Sequence, residues 1–257
     1  MTILVKDFII VLLIFFRILS AFIAAPVFGD KAIPTLAKIF LAFLIAYIIF
    51  SVMDTSAINV QIELWWLFIN SIKEIIAGLL IGFSLNFVFY GFSYAGTLMG
   101  FDMGLNMAQV FNPSDGTETD IIGQFIYFIA ILVFFLINGH HYLIRELAYS
   151  FKVLPVGKFL INKSVLDLLI TYSANVFIIA IKISAPILIS FFLVNIAEGI
   201  TARVIPQMQI FFVTQPLKLG LGFMLLVFSA PLLIYVIKNL LKACEDNLYD
   251  LVKAMGT

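Results

Sequence analysis

An all-α fold, a membrane-associated bundle of long, kinked helical hairpins, is predicted by three features of this 257-residue sequence. The chain is 63% hydrophobic and 12% charged, with a mean hydropathy of +1.14. Soluble domains are about 45–50% apolar and about 25% charged. Apolar runs at about 8–28, 33–53, 63–99, 121–138, 165–200 and 208–237 each approach or exceed the roughly 20 residues a helix needs to cross a bilayer. Ionisable residues interrupt these runs at Arg17, Lys73, Glu74, Lys182 and Glu198. At mid-bilayer each costs at least about 2.5–3.5 kcal/mol unless it meets protein or water. Such charges predict a chain packed inside a larger helical assembly.

The first run, within "MTILVKDFIIVLLIFFRILSAFIAAPVFG", has a nearly neutral start (Lys6, Asp7) and continues past Arg17. It reads as a retained membrane helix rather than a signal peptide. The second follows Gly29–Pro34. The third is too long for one simple crossing, since about 37 helical residues reach roughly 55 Å. The fourth leads into a polar tract, His140–Lys163. The fifth and sixth contain Pro186 and Pro231, each of which removes a helical N–H and predicts a kink. The C-terminal "LLKACEDNLYDLVKAMGT" reads as a short amphipathic helix outside the hydrocarbon.

Positive charge places the 29–34 loop, the 140–163 tract and the C-terminus in the cytoplasm. The 54–63 and 100–120 loops carry only acidic charge and read as non-cytoplasmic. One helix between them would set them on opposite sides. Either the third run is a bent hairpin with Gly78 and Gly82 near the bend, or the chain is not threaded like an ordinary bilayer protein.

Several function classes lack support. Zero net charge offers no field for nucleic acid. The lone Cys244 excludes an internal disulfide and a Cys-based metal set. His140-His141 point about 100° apart on a helix, so they cannot chelate one metal together and read as an interfacial cap after Asn138-Gly139. No cofactor is expected. Ser84, Ser93 and Ser190 lie in apolar context, without the strained turn of a nucleophilic serine. A small-solute transporter or channel is the competing class. Glu198-Gly199, Arg203 and Pro206 would supply one helix break and Asp102 another, but the two halves of the chain do not resemble each other.

The stretch "AGTLMGFDMGLNMAQVFNPSDG" is the most informative. Gly96, Gly100 and Gly104 form a ladder that lets another helix approach closely, where van der Waals contact replaces the missing hydrophobic drive. Met99, Met103 and Met107 run beside it as a soft stripe, suited either to filling a core or to lining a conduit that must seal and open. Asn112-Pro113 is expected to stop the helix, and Asp115 to Glu118 need water rather than lipid.

Together with "FFRILSAFIAAPVFG", "KEIIAGLLIGF", "INGHHYLIRELAYSFKVLPVG" and "APILISFFLVNIAEGITARVIPQMQIFFVTQPLKLGLGF", this stretch resembles the FliR/SctT family of type III secretion export-gate proteins over nearly the whole chain. The resemblance implies a non-enzymatic subunit of a closed helical export-gate assembly in the bacterial inner membrane, at the flagellar basal body. Its implied partners are FliP-type and FliQ-type subunits and FlhB, with unfolded flagellar proteins as substrates. The flagellar system is preferred over the homologous virulence injectisome from the character of the motifs. It also implies a FliP-like part (about 1–175) joined to a FliQ-like hairpin and tail (about 176–257), and a pore-plugging loop at about 106–120. On that reading Met99, Met103, Met107, Phe111, Asn112 and Pro113 form the seal and plug. Gly78, Gly82, Gly96, Gly100 and Gly104 pack helices. Arg17, Lys73, Glu74, Lys182, Glu198 and Arg203 serve as buried charges of assembly or gating.

Overall fold

The computed structural model describes the backbone of residues 2–54, 60–61, 63–105, 110–112, 117–205 and 210–256. These fold as helices α1 (Thr2–Ala24), α2 (Thr35–Val52), α3 (Leu64–Asp102), α4 (Ile121–Leu136), α5 (Gly139–Val153), α6 (Lys163–Val204) and α7 (Ile210–Met255). Two three-residue strands, β1 (Val110–Asn112) and β2 (Thr117–Thr119), pair antiparallel between α3 and α4. Five helices, α1, α2, α3, α6 and α7, are long and apolar enough to cross a membrane. The all-α expectation holds, with one small hairpin where only a loop was expected.

Two other expectations need correction. The third apolar run is one uninterrupted 39-residue helix, not a bent hairpin. The amphipathic C-terminal segment is the continuation of the 46-residue α7, not a separate helix. Pro186, Pro216 and Pro231 lie within α6 and α7, which continue through them. Each forfeits one backbone hydrogen bond, a cost that a long packed helix absorbs.

The chain divides into two compact units. The first comprises Met1–Phe87, Asn138–Ser173 and Ala243–Thr257; the second comprises Val88–Ile137 and Ala174–Lys242. In the first unit α1 is the hub. Ile10, Leu13, Ile14, Arg17, Ile18 and Ala21 are fully buried at three- and four-residue spacing, the signature of one helical face. Gly78 and Gly82 give α3 its close approach to that face. A Cβ at either glycine would overlap a carbonyl oxygen of α1, that of Arg17 or of Ala21. They are contact points, not a hinge. The end of α7 closes this unit through Leu248, Leu251, Val252 and Met255, all buried. Tyr142 Oη donates to the Glu245 carbonyl at 2.6 Å, and Tyr172 Oη donates to that of Asn247 at 2.7 Å.

In the second unit an edge-to-face aromatic cluster joins Phe89 to Phe92, Tyr127 and Phe134, with centroids 5.7–5.8 Å apart. Of α6, the stripe Ile179, Ala180, Ile183, Ser184, Ile187 and Phe191 is buried. Much of the opposite surface is apolar and open, as at Phe177, Ile181, Ile189 and Phe192. Apolar surface on this scale needs lipid or protein against it.

One cavity brings together two charges that the sign rule separates. Asp54, after α2, and Lys152, in α5, line the same cavity of about 410 Å³ in the first unit. Charge sign had assigned their segments to opposite sides.

Candidate functional site

The root of the 106–119 segment is closely constrained on both sides. On its N-terminal side α3 ends at Asp102 because Gly104 turns into the left-handed region, with φ +78°. Its N–H donates to the Phe101 carbonyl at 3.0 Å, and that of Met103 donates to the Met99 carbonyl at 3.0 Å. These bonds satisfy terminal carbonyls in the way of a left-handed C-terminal cap. The helix therefore stops well before Asn112-Pro113, and Gly104 is a terminator rather than the third rung of a ladder. The Gln215 side chain lies directly against its Cα.

On the C-terminal side Asp120 caps α4, its carboxylate accepting from the Ile122 N–H at 3.2 Å. Partial burial raises the Asp120 carboxyl above its ordinary range, against the lowering effect of the Ile122 and Gly123 N–H groups. The same carboxylate sits on Gly100: a Cβ there would lie 2.5 Å from Oδ2 and 2.7 Å from Oδ1. One turn back, a Cβ at Gly96 would lie 2.5 Å from Gly123 Cα and 2.6 Å from the Ile122 carbonyl oxygen. Gly96 and Gly123 thus bring the backbones of α3 and α4 together. Gly96→Leu should wedge the two helices apart at a cost of about 1–3 kcal/mol, read as a lower melting temperature of the purified assembly. An unchanged melting temperature would contradict the close approach.

Met99 and Met103 are both fully buried, and a Cβ on Gly222 of α7 would meet the Met103 side chain at 2.5–2.8 Å. Within this chain they fill the core behind the segment's root. Met107 and Pro113 lie outside the described residues. Phe111 and Asn112 are described by their backbone, which forms β1, with Phe111 opposite Glu118 and Asn112 opposite Thr117. This hairpin had a signal in the sequence: β-branched Val110, Thr117 and Thr119 flank the turn-forming "NPSDG".

The expected buried charges separate into three groups. Arg17 and Glu74 are fully buried and paired, Nε donating to Oε2 at 2.6 Å. Arg17 Nη1 also donates to Ser150 Oγ and to the Leu154 carbonyl, each at 3.1 Å, and the guanidinium stacks 4.1 Å from the Phe151 ring centroid. Glu74 Oε1 accepts from the Gly157 N–H at 2.7 Å, and Lys73 Nζ reaches the Gly157 carbonyl at 3.4 Å. Gly157 has φ +82°, and a Cβ there would lie 2.9 Å from Asn70 Oδ1. This network ties α1, α3, α5 and the turn after α5 together inside the first unit. Glu198 is partly buried and pairs with Lys218 in the second unit. Lys182 and Arg203, by contrast, are exposed. Lys182 falls outside the buried stripe of α6. Arg203 stands in that helix's last turn, where a cation is favoured by the helix dipole.

Comparison with known proteins adds a further line. The profile of "Bacterial export proteins, family 1" matches residues 8–244. The chain is 33% identical over 248 residues to the flagellar biosynthetic protein FliR of Bacillus subtilis (strain 168), covering 95% of each chain. It is 31% identical to FliR of Pectobacterium carotovorum subsp. carotovorum, covering 95% of this chain and 92% of that one. With FliR of Escherichia coli (strain K12) the identity is 26%, covering 93% and 91%.

Proposed function

Because this chain belongs to the family of bacterial export proteins, family 1, we propose that it is a core subunit of the flagellar type III protein export gate. It acts in the inner membrane at the flagellar basal body, as a structural and transport component rather than a catalyst. With FliP-type and FliQ-type subunits and FlhB it encloses a gated pore for unfolded flagellar proteins. The first part of the chain, to about residue 175, supplies the FliP-like portion and pore loop, and the remainder a FliQ-like hairpin and tail. Names of relatives that are flagellar throughout favour this system over the injectisome.

The observation that carries the reading is the segment between Gly104 and Asp120. Its polar "NPSDGTET" is rooted in an otherwise apolar, close-packed frame. A water-requiring segment at such a place needs an aqueous or protein-lined space. Met99 and Met103, both fully buried, support that root, and the segment that includes Phe111 supplies the plug. Arg17 and Glu74 hold the subunit together rather than carry protons.

Co-expression provides the test. The chain alone should be degraded or aggregate, its open apolar surface uncovered, whereas expression with its partners should yield a soluble complex in detergent. Purification of a stable, monodisperse chain by itself, binding a small solute, would favour the transporter class instead.

A further inference from the structure

The second unit holds a cleft that the pore reading leaves without a role. It lies between α4 and α7, has a volume of about 270 Å³ and is lined by aliphatic and aromatic side chains. Ile122, Ile126, Leu226 and Leu233 form a floor in which none is more than 7% exposed, whereas Phe125 and Val227 at the rim are 52% and 73% exposed. On α7 the lining runs from Phe223 to Ile234, a rise of about 17 Å along the helix. Half of the roughly 30 Å hydrocarbon core of a bilayer is about 15 Å, so the cleft is about one leaflet deep. Spread over that length, its volume leaves a section of roughly 16 Å². A helix, about 10–12 Å across with its side chains, needs several times that area. An extended hydrocarbon chain is narrow enough to enter.

Charge distinguishes the two ends of the cleft. The start of α4 and the 215–222 stretch of α7 both meet the end of α3, through Asp120 on Gly100 and through Gln215 and Gly222. At this end stands the Asp120 carboxylate, which caps α4 just before Ile121. At the other end Lys238 follows Ile234 by one helical turn. It continues the edge of α7 set by Val227 and Ile234, at spacings of seven and four residues. Lys242 stands one turn further on, and both lysines are exposed. No acidic residue lies on α7 between Ile210 and Cys244, and α4 carries no charge at all. An anion is thus repelled from the first end and drawn to the second. We propose that the cleft is a phospholipid site: one acyl chain lies between α4 and α7, and an anionic phosphate head group is held at Lys238 and Lys242. A dry apolar cleft offers water nothing to bind, and a seated chain gains the burial that drives apolar surfaces together. The lipid then acts as a packing element of the second unit. This site depends on the membrane placement of the chain and not on the pore loop.

The test uses the purified complex with its partner subunits, reconstituted into phosphatidylcholine vesicles. These carry a trace of phosphatidylglycerol with a photoreactive group in one acyl chain or, in a parallel sample, phosphatidylcholine labelled in the same way. After irradiation the labelled peptides are located by mass spectrometry. Labelling should concentrate at 121–129 and 223–234 and should be stronger with phosphatidylglycerol. Lys238→Gln with Lys242→Gln should reduce phosphatidylglycerol labelling roughly fivefold for each lysine lost, leaving that by phosphatidylcholine in place. Ala230→Phe fills the cleft and should remove labelling by both lipids from an assembled complex. Where that variant does not assemble, Val227→Trp blocks the exposed rim without disturbing the floor. Absence of label from these segments in the intact complex would overturn the site, as would label that persists in an assembled, filled variant. Equal labelling by the two lipids contradicts the head-group assignment. Loss of a partner subunit from the Val227→Trp complex would place a partner's side chain in the cleft and exclude lipid as its occupant.

Discussion

Arg17→Met should nearly abolish accumulation of the subunit, and Glu74→Leu should do the same. Each change leaves one ion of a fully buried pair without its partner, which costs about 3–5 kcal/mol. That is a large share of the roughly 5–15 kcal/mol by which folded domains are stable. Arg17 Nη1 bonds to Ser150 and Leu154, and Glu74 Oε1 accepts from Gly157, so either loss also unties the turn after α5. The double variant Arg17→Met with Glu74→Leu should recover part of the loss, since no unpaired charge then remains. Recovery should be incomplete, because the Gly157 N–H and the Leu154 carbonyl lose their partners. The measurement is the amount of subunit in purified complex, by immunoblot against a co-expressed partner. Single variants that accumulate normally would show that the pair is dispensable.

Much of this organisation was legible in the sequence, and the boundary of legibility has physical causes. Composition alone implied membrane helices, and the apolar runs fall inside α1, α2, α3, α4, α6 and α7 almost throughout. The close-approach glycines were legible too, since Gly78, Gly82, Gly96 and Gly100 all meet backbone or a capping side chain. Gly104 was misread because periodicity cannot distinguish a packing glycine from one that turns left-handed and ends the helix. Helix α5 was hidden in a polar tract because its buried face includes Glu146 and Ser150 alongside Leu143, Leu147 and Phe151. The C-terminal part of α7 was cut off for a related reason: its charges suggested an exit from lipid, yet a helix can continue outside the hydrocarbon without a break. Lys182 was expected to be buried because it interrupts an apolar run, but α6 buries one stripe only. Hydropathy records which residues avoid water. It does not say which face of a helix this chain itself covers.

The same distinction bears on the methionines. In the sequence they suggested a seal, and in the fold Met99 and Met103 are enclosed behind the root of the segment. A deformable side chain there still matters, because it lets the end of α3 settle against Gly222 without demanding one rigid fit. Closure would then depend on the segment itself, with the methionines as its bedding.

Deleting residues 110–116 should therefore open the membrane barrier while leaving the supporting frame in place. The deleted part contains β1 and the "PSDG" residues but none of the residues that terminate α3 or cap α4. Gly104, Asp120 and the Gly96–Gly123 contact remain, so the complex should still assemble. Export of flagellar substrates should persist, since the pore walls are unchanged, but it should lose its restraint on ions. The decisive measurement is ion flux across the membrane of cells or vesicles holding the complete complex, with and without residues 110–116, at matched complex abundance. A large increase in flux with retained assembly is the predicted result. A barrier as tight as that of the intact complex would contradict the assignment of the plug to this segment.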